Sequence, residues 1–220
     1  MDRLLERRYG RVRRRRARDL LDVLVGTILS QNTTDVNSDR AMERLHTRFA
    51  SWAEVRDAPV GALIDAIRRA GLGTLKAPRI QAALRAVASQ NGGRLSLAFL
   101  RRWPVGRAKA WLRSLHGVGP KTAAILVLFG LGKPAFPVDT HVYRVGRRLG
   151  LIPEGMAVEP AHDWMEAIVP PRRYGPLHLL LVRHGREVCR AGRPRCEVCP
   201  LRRVCRFYAA TRGRQEAPRS

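Results

Sequence analysis

Apolar residues recur at three- and four-residue spacing over 19–29 (DLLDVLVGTIL), 38–49, 60–70 and 76–89. That period lays one face of a helix against a core. Pro59, Gly71, Gly73 and Asn91-Gly92-Gly93 punctuate these segments, as turn-forming residues do between helices. The same pattern predicts helices near 106–114, 120–131, 139–149, 160–168 and 174–188. Pro and Gly cluster at 132–137 (GKPAFP) and 150–155 (GLIPEG), which mark loops, and the polar stretch after Arg206 reads as a frayed tail. No alternating run of β-branched residues appears, so the fold class is all-α.

Charge then points to a partner. Forty-two Lys plus Arg against eighteen Asp plus Glu give a formal net charge of +24, which calls for a polyanion, nucleic acid first. An anionic membrane would also attract such a chain, but no apolar run reaches the roughly 18 residues that span a bilayer. Arg7 to Arg18 are too Arg-rich for the apolar segment of a secretory signal. The same arginines suit a mitochondrial address, although Asp2, Glu6 and Asp19 count against it. The expectation is a cytoplasmic monomer, nucleoid-associated in a bacterium.

The stretch Leu115-His116-Gly117-Val118-Gly119-Pro120-Lys121-Thr122-Ala123 lies between a short amphipathic helix and an apolar one, and reads as a helix-hairpin-helix. Gly117 and Gly119 can take conformations denied to other residues and let the backbone approach a ligand, while Val118 can plug into the core. Pro120 suits the first turn of the next helix, whose unpaired N–H groups and positive dipole end bind phosphate. Lys121 sits in that turn, where the dipole and nearby cations disfavour its charge, so a lowered pKa is expected. It is either a phosphate contact or an amine nucleophile able to hold a sugar as a Schiff base. Eighteen residues on, FPVDTHVYR places Asp139 at the opening of a helix. It is a natural N-cap. Beside a nucleophilic lysine it can also stabilise positive charge on a sugar that is losing its base.

All four cysteines fall in the pattern Cys189-x6-Cys196-x2-Cys199-x5-Cys205. Such crowding suits one metal centre, zinc or a [4Fe–4S] cluster, and the single short C-x2-C pair leans toward iron–sulfur. Arg190, Arg193 and Arg195 lie between the first two ligands, where they can grip DNA phosphates or form a solvated charge run.

LHGVGPKTAA and FPVDTH together resemble the helix-hairpin-helix DNA glycosylase superfamily, specifically its endonuclease III branch, over nearly the whole chain. The cysteine spacing is that branch's [4Fe–4S] pattern. The resemblance implies two all-α domains with a DNA-binding cleft between them. One is a six-helix barrel, here 20–132; the other joins 1–19, with an N-terminal helix, to 133–220, which carries the cluster. It makes Lys121 the nucleophile, Asp139 the essential carboxylate, and the arginine loop a DNA contact stiffened by the cluster. Adenine glycosylase relatives lack the lysine.

Enzymes that act on a base in duplex DNA flip it out and fill the hole. Ungapped alignment of Ser30-Gln31-Asn32-Thr33-Thr34-Asp35 puts the shorter Asn32 where the family inserts a glutamine, with Gln31 as the alternative. Gly71-Leu72-Gly73 resembles the loop that offers an apolar wedge, here Leu72, with Gly73 replacing a bulkier residue. Lys76 and His141 join the candidate DNA contacts. His116 and Pro120 replace a proline and a basic residue, and the connection over Ser96 to Trp103 is longer than in the best-known bacterial members. The expectation is a bifunctional glycosylase and AP lyase acting on oxidised pyrimidines in double-stranded DNA. A monofunctional glycosylase for another base, or a catalytically silent DNA-binding or electron-transfer module, are the alternatives.

Overall fold

The computed structural model describes residues 1–12 and 19–215; most of the arginine run, over 13–18, and the last five residues lie outside them. Among the described residues every regular element is helical, with no strand. It divides into two compact units, Arg16–Lys133 and Met1–Arg15 with Pro134–Ser220.

Arg16–Lys133 is organised around α2 (Leu20–Leu29). Its sequence, LLDVLVGTIL, is apolar on all but the stripe through Asp22 and Gly26, so most of its surface must be covered. Leu21, Leu24, Val25, Ile28 and Leu29 are all but inaccessible. Asp19 caps its start, accepting from Leu21 N–H at 3.0 Å. The cover comes from α3 (Asp35–Arg48), α6 (Gly73–Gln90), α8 (Pro120–Ile125) and a π-helical turn over Leu126–Leu131. Close approach dictates composition: a Cβ on Gly130 would lie 2.6 Å from Leu20 Cδ2.

Several boundaries depart from the apolar period. α3 begins at Asp35 rather than 38, because Thr34 caps a polar first turn by accepting from Asn37 N–H. The α4 helix (Trp52–Asp57) buries little beyond Val55 and was not expected; Ser51 caps it, and Glu54 reaches back to Ala50 N–H at 2.9 Å. α5 (Val60–Ile67) ends in a 3-10 turn, Arg68–Ala70. α6 begins at Gly73 rather than 76, because Gly73 lets its first turn press onto Ile64, whose Cγ2 a Cβ would meet at 3.2 Å. The segment expected as one helix over 120–131 changes to π geometry after Ile125. α7 (Val105–Ser114) precedes the hairpin.

The other unit contains α1 (Asp2–Tyr9), α9 (Thr140–Leu149), α10 (Val158–Ile168), α11 (Tyr174–Glu187) and α12 (Arg206–Gln215). The expected frayed tail is thus a helix as far as Gln215. Its cause is tertiary: the Arg148 guanidinium lies 4.6 Å over the Phe207 ring, and α12 packs on α9. α1 docks on α11 with Leu5 fully buried, and Arg173, in the 3-10 turn just before α11, meets Asp2 at 2.5 Å and Glu6 at 2.6 Å. Tyr9 completes the contact, its hydroxyl 3.0 Å from His184 Nδ1 and its ring 4.9 Å under the Arg183 guanidinium. No helix of the described residues is long and apolar enough to cross a membrane.

Leu5 is the apolar anchor of this docking. Leu5→Ala is expected to cost about 2–5 kcal/mol, read as a lower urea midpoint; a change under about 0.5 kcal/mol would mean that α1 is not part of the cooperative unit.

Candidate functional site

The hairpin between α7 and α8 follows the predicted geometry at three of its four key positions. Gly117 has φ 85°, and a Cβ there would lie 2.8 Å from Arg79 Cδ on α6. Val118 is buried, and Pro120 opens α8. Gly119 differs from expectation: at φ −86°, ψ −179° it is extended backbone open to any residue, with no neighbour within 4 Å of a Cβ. What glycine provides there is open space against the backbone, not conformational freedom.

Lys121, in the first turn of α8, is half-buried and lines an open pocket with Asp19, Asp22, Asp35, Asp39, Thr27, Ser30 and Ser38. The pocket has room for about 400 Å³. Its aspartates were not singled out from the sequence; they lie on α2, at its cap and on α3, and only folding brings them around one lysine.

Asp139 caps α9, accepting from Val142 N–H at 2.7 Å, and remains partly exposed. The loop before it is tightly held. Phe136 is fully buried, edge-on to Tyr174 at 5.5 Å, and its N–H donates to Glu166 Oε1 at 2.8 Å. His162 Nδ1 lies 3.3 Å from Val138 N and 3.1 Å from Phe136 O, and His178 Nδ1 lies 2.9 Å from Pro137 O. Glu166, His162 and His178 therefore hold the backbone that leads to Asp139. The sequence offered only their polarity within apolar helices as a signal. His141 is half-buried beside Gly185, with Nδ1 3.0 Å from Arg144 Nη2. Burial lowers its pKa, which leaves it a neutral polar group at neutral pH.

Cys189, Cys196, Cys199 and Cys205 line one pocket with Arg148, His184 and Phe207. None is in a disulfide. Burial, reinforced by the neighbouring cysteines, pushes Cys196 and Cys199 up, so four thiolates here require a compensating cation. The donor set thus fits a metal centre. Among the described residues no three His, Cys, Asp or Glu side chains converge closely enough to hold a single ion. Arg148 organises the surrounding backbone: Nη1 donates to Arg190 O at 2.7 Å and contacts Cys189 Sγ at 3.4 Å, and Nη2 donates to Ala191 O at 2.9 Å. Arg144 Nε donates to Cys189 O at 2.9 Å. Arg190, Arg193 and Arg195 stand exposed on the loop so held.

Two turns of Arg16–Lys133 share an unusual feature. Among the described residues, Asn32 (φ 51°) and Leu72 (φ 53°) are the non-glycine residues with positive φ. For leucine this costs on the order of 1–3 kcal/mol and persists only where surrounding structure imposes it. Asn32 is exposed, and Leu72 is 49% exposed. Gln31, the alternative to Asn32, is committed elsewhere, donating from Nε2 to Gly117 O at 2.8 Å. Lys76 corrects an expectation outright. It is 1% exposed and donates to Leu29 O and Ala70 O, both at 2.7 Å, so it cannot reach a DNA phosphate.

Residues 25–170 match the family model for the HhH-GPD superfamily base excision DNA repair protein. An endonuclease III of Thermotoga maritima is 34% identical over 198 residues, covering 90% of this chain and 87% of that protein. An endonuclease III of Bacillus subtilis is 32% identical over 185 residues, covering 84% and 80%. The fold superposes on a trapped endonuclease III–DNA covalent intermediate with TM-score 0.82, at 28% identity over 96% of this chain and 94% of that one. A thermostable thymine-DNA glycosylase shares the fold, with TM-score 0.79 at 22% identity.

The hairpin glycines should separate under substitution. Gly117→Ala is expected to lose about 1–3 kcal/mol in urea unfolding, from positive φ and the collision with Arg79. Gly119→Ala should change stability by less than about 0.5 kcal/mol. Equal losses at both positions would contradict this backbone geometry.

Proposed function

This chain belongs to the HhH-GPD superfamily of base excision DNA repair proteins and is a DNA glycosylase of that class, and we propose that it couples removal of an oxidised pyrimidine to strand cleavage. The observation that carries this reading is Lys121 in the first turn after the hairpin, lining an open pocket.

The amine of Lys121 attacks C1′ of a flipped nucleotide as the glycosidic electron pair leaves with the base. Asp139, held by its capping bond and the pinned loop before it, stabilises the positive charge that develops on the sugar and helps take the proton the amine must lose. The opened sugar is then held as an imine. Loss of a C2′ proton expels the 3′ phosphate, nicking the strand on that side. The carboxylates and hydroxyls around Lys121 present hydrogen-bond acceptors, which suit a base rich in N–H donors. Extended Gly119 allows close approach of a phosphate to the start of α8, and exposed Arg190, Arg193 and Arg195 add phosphate contacts. Asn32 and Leu72 fill the space left by the flipped base.

The four cysteines hold a [4Fe–4S] cluster in this reading. When bound it supplies structural support for the arginine loop. Four thiols lining one pocket, with only a single short C-x2-C pair among them, favour the cluster over zinc. The protein acts as a monomer on duplex DNA in a reducing compartment such as the bacterial cytoplasm.

Borohydride trapping on duplexes containing thymine glycol, an abasic site or no damage tests the chemistry. A covalent adduct is expected on the first two and is lost in Lys121→Ala; Asp139→Asn should slow base release about 10²-fold or more. An adduct that survives Lys121→Ala would overturn the nucleophile. Base release without trapping would indicate a monofunctional glycosylase, and neither outcome a silent DNA-binding module.

Metal analysis tests the cluster. The purified protein should be brown and contain iron with inorganic sulfide, both lost on replacing Cys199 by Ser. A colourless protein with stoichiometric zinc would refute it.

A further inference from the structure

We propose that Lys76 is a positioning residue for lesion reading, its buried ammonium tying the end of α2 to the turn before α6 and so holding Asn32 and Leu72 in the conformations that meet DNA. The inference rests on the reading above that this surface binds damaged duplex.

The geometry links both turns through one side chain. Leu29 supplies one of the last carbonyls of α2, a group with no partner inside its own helix. Ala70 closes the 3-10 turn after α5. Lys76 Nζ donates to both at 2.7 Å. Leu29 lies three residues before Asn32, and Ala70 two before Leu72. The backbone of the same lysine also contributes: its N–H donates to Leu72 O at 2.9 Å. Leu72 is therefore held from both sides by one residue, the condition that a non-glycine residue at φ 53° requires.

A lysine is a costly way to fill a core. Burial disfavours its charge and pushes its pKa down. Methionine or leucine would occupy that volume without desolvating an ammonium. What neither can supply is two directed donors aimed at carbonyls 41 residues apart in the chain (70 minus 29). One turn along α6, Arg79 packs against Gly117, and Gln31 joins the α2–α3 turn to Gly117 O. The two reading turns and the hairpin thus share one support.

The test uses the full chain with Lys76→Met, which keeps the volume and removes the donors. Amide hydrogen exchange is expected to accelerate at least ten-fold at residues 30–33 and 70–73, with far smaller changes in α4 and α7. The ratio of affinities for a duplex with a tetrahydrofuran abasic analogue over undamaged duplex should fall at least ten-fold. Lys76→Arg, which keeps charged donors, should recover part of that ratio. In an Asn32→Ala, Leu72→Ala background, Lys76→Met should change the ratio less than two-fold, because its effect runs through those side chains. Uniformly faster exchange, or an unchanged ratio, would reduce Lys76 to a core lysine and overturn the proposal. If Lys76→Met does not fold, Lys76→Gln is read by the same criteria. If the unaltered protein shows no preference for the abasic analogue, the lesion-processing reading falls, and exchange alone decides whether Lys76 positions the turns.

Discussion

Helix α2 is apolar on all but the narrow stripe through Asp22 and Gly26, and that constraint shapes the whole of Arg16–Lys133. An apolar cylinder must be enclosed, so α3, α6, α8 and the π turn are arranged around it. Enclosure creates a second problem, since carbonyls at the end of a buried helix still need donors. Leu29 O receives one from the lysine of a covering helix. The polar positions that line the Lys121 pocket, Asp22, Thr27 and Ser30 among them, lie along or just beyond this helix. The core element that stabilises the unit therefore also sets out its candidate chemistry.

In the other unit the recurring device is a buried or half-buried cationic or aromatic group that holds backbone rather than another side chain. Arg144 and Arg148 grip carbonyls on and beside the cysteine loop. Histidines from α10 and α11 fix the backbone that leads to Asp139. Held this way, a loop keeps its outward side chains available. Arg190 lends its carbonyl to Arg148 while its guanidinium stays exposed.

Much of this was legible before folding was considered, and for identifiable reasons. Long helices with a buried stripe announce themselves by period, as α3, α6 and α11 do. Lys121, Asp139 and the four cysteines could be singled out as candidates because each lies in a short contiguous motif. The failures are tertiary. α12 looked like a tail because its residues are polar, and it is a helix that packs on α9, with Arg148 stacked on Phe207. Lys76 looked like a surface cation, since nothing local tells a lysine that two distant carbonyls await it. Gly119 looked able to use a conformation denied to other residues, but a glycine's permission to adopt positive φ does not mean that the position uses it. One failure was local: the Ser51-to-Glu54 cap of α4 stands plainly in the sequence, in a segment too short to show a period.

The docking of α1 has a temporal side. Its partners, Arg173 and His184, lie 167 and 175 residues along the chain from Glu6 and Tyr9. During synthesis the first helix emerges long before any surface that can bury Leu5. Arg16–Lys133, by contrast, is one continuous stretch of chain, so its internal contacts can form while the rest is still being made. The cysteine pocket must wait for α11 and for Cys205, so α1 is made well before its partners and is among the last of these elements to be buried. Until then its apolar face is left to the solvent or to a chaperone.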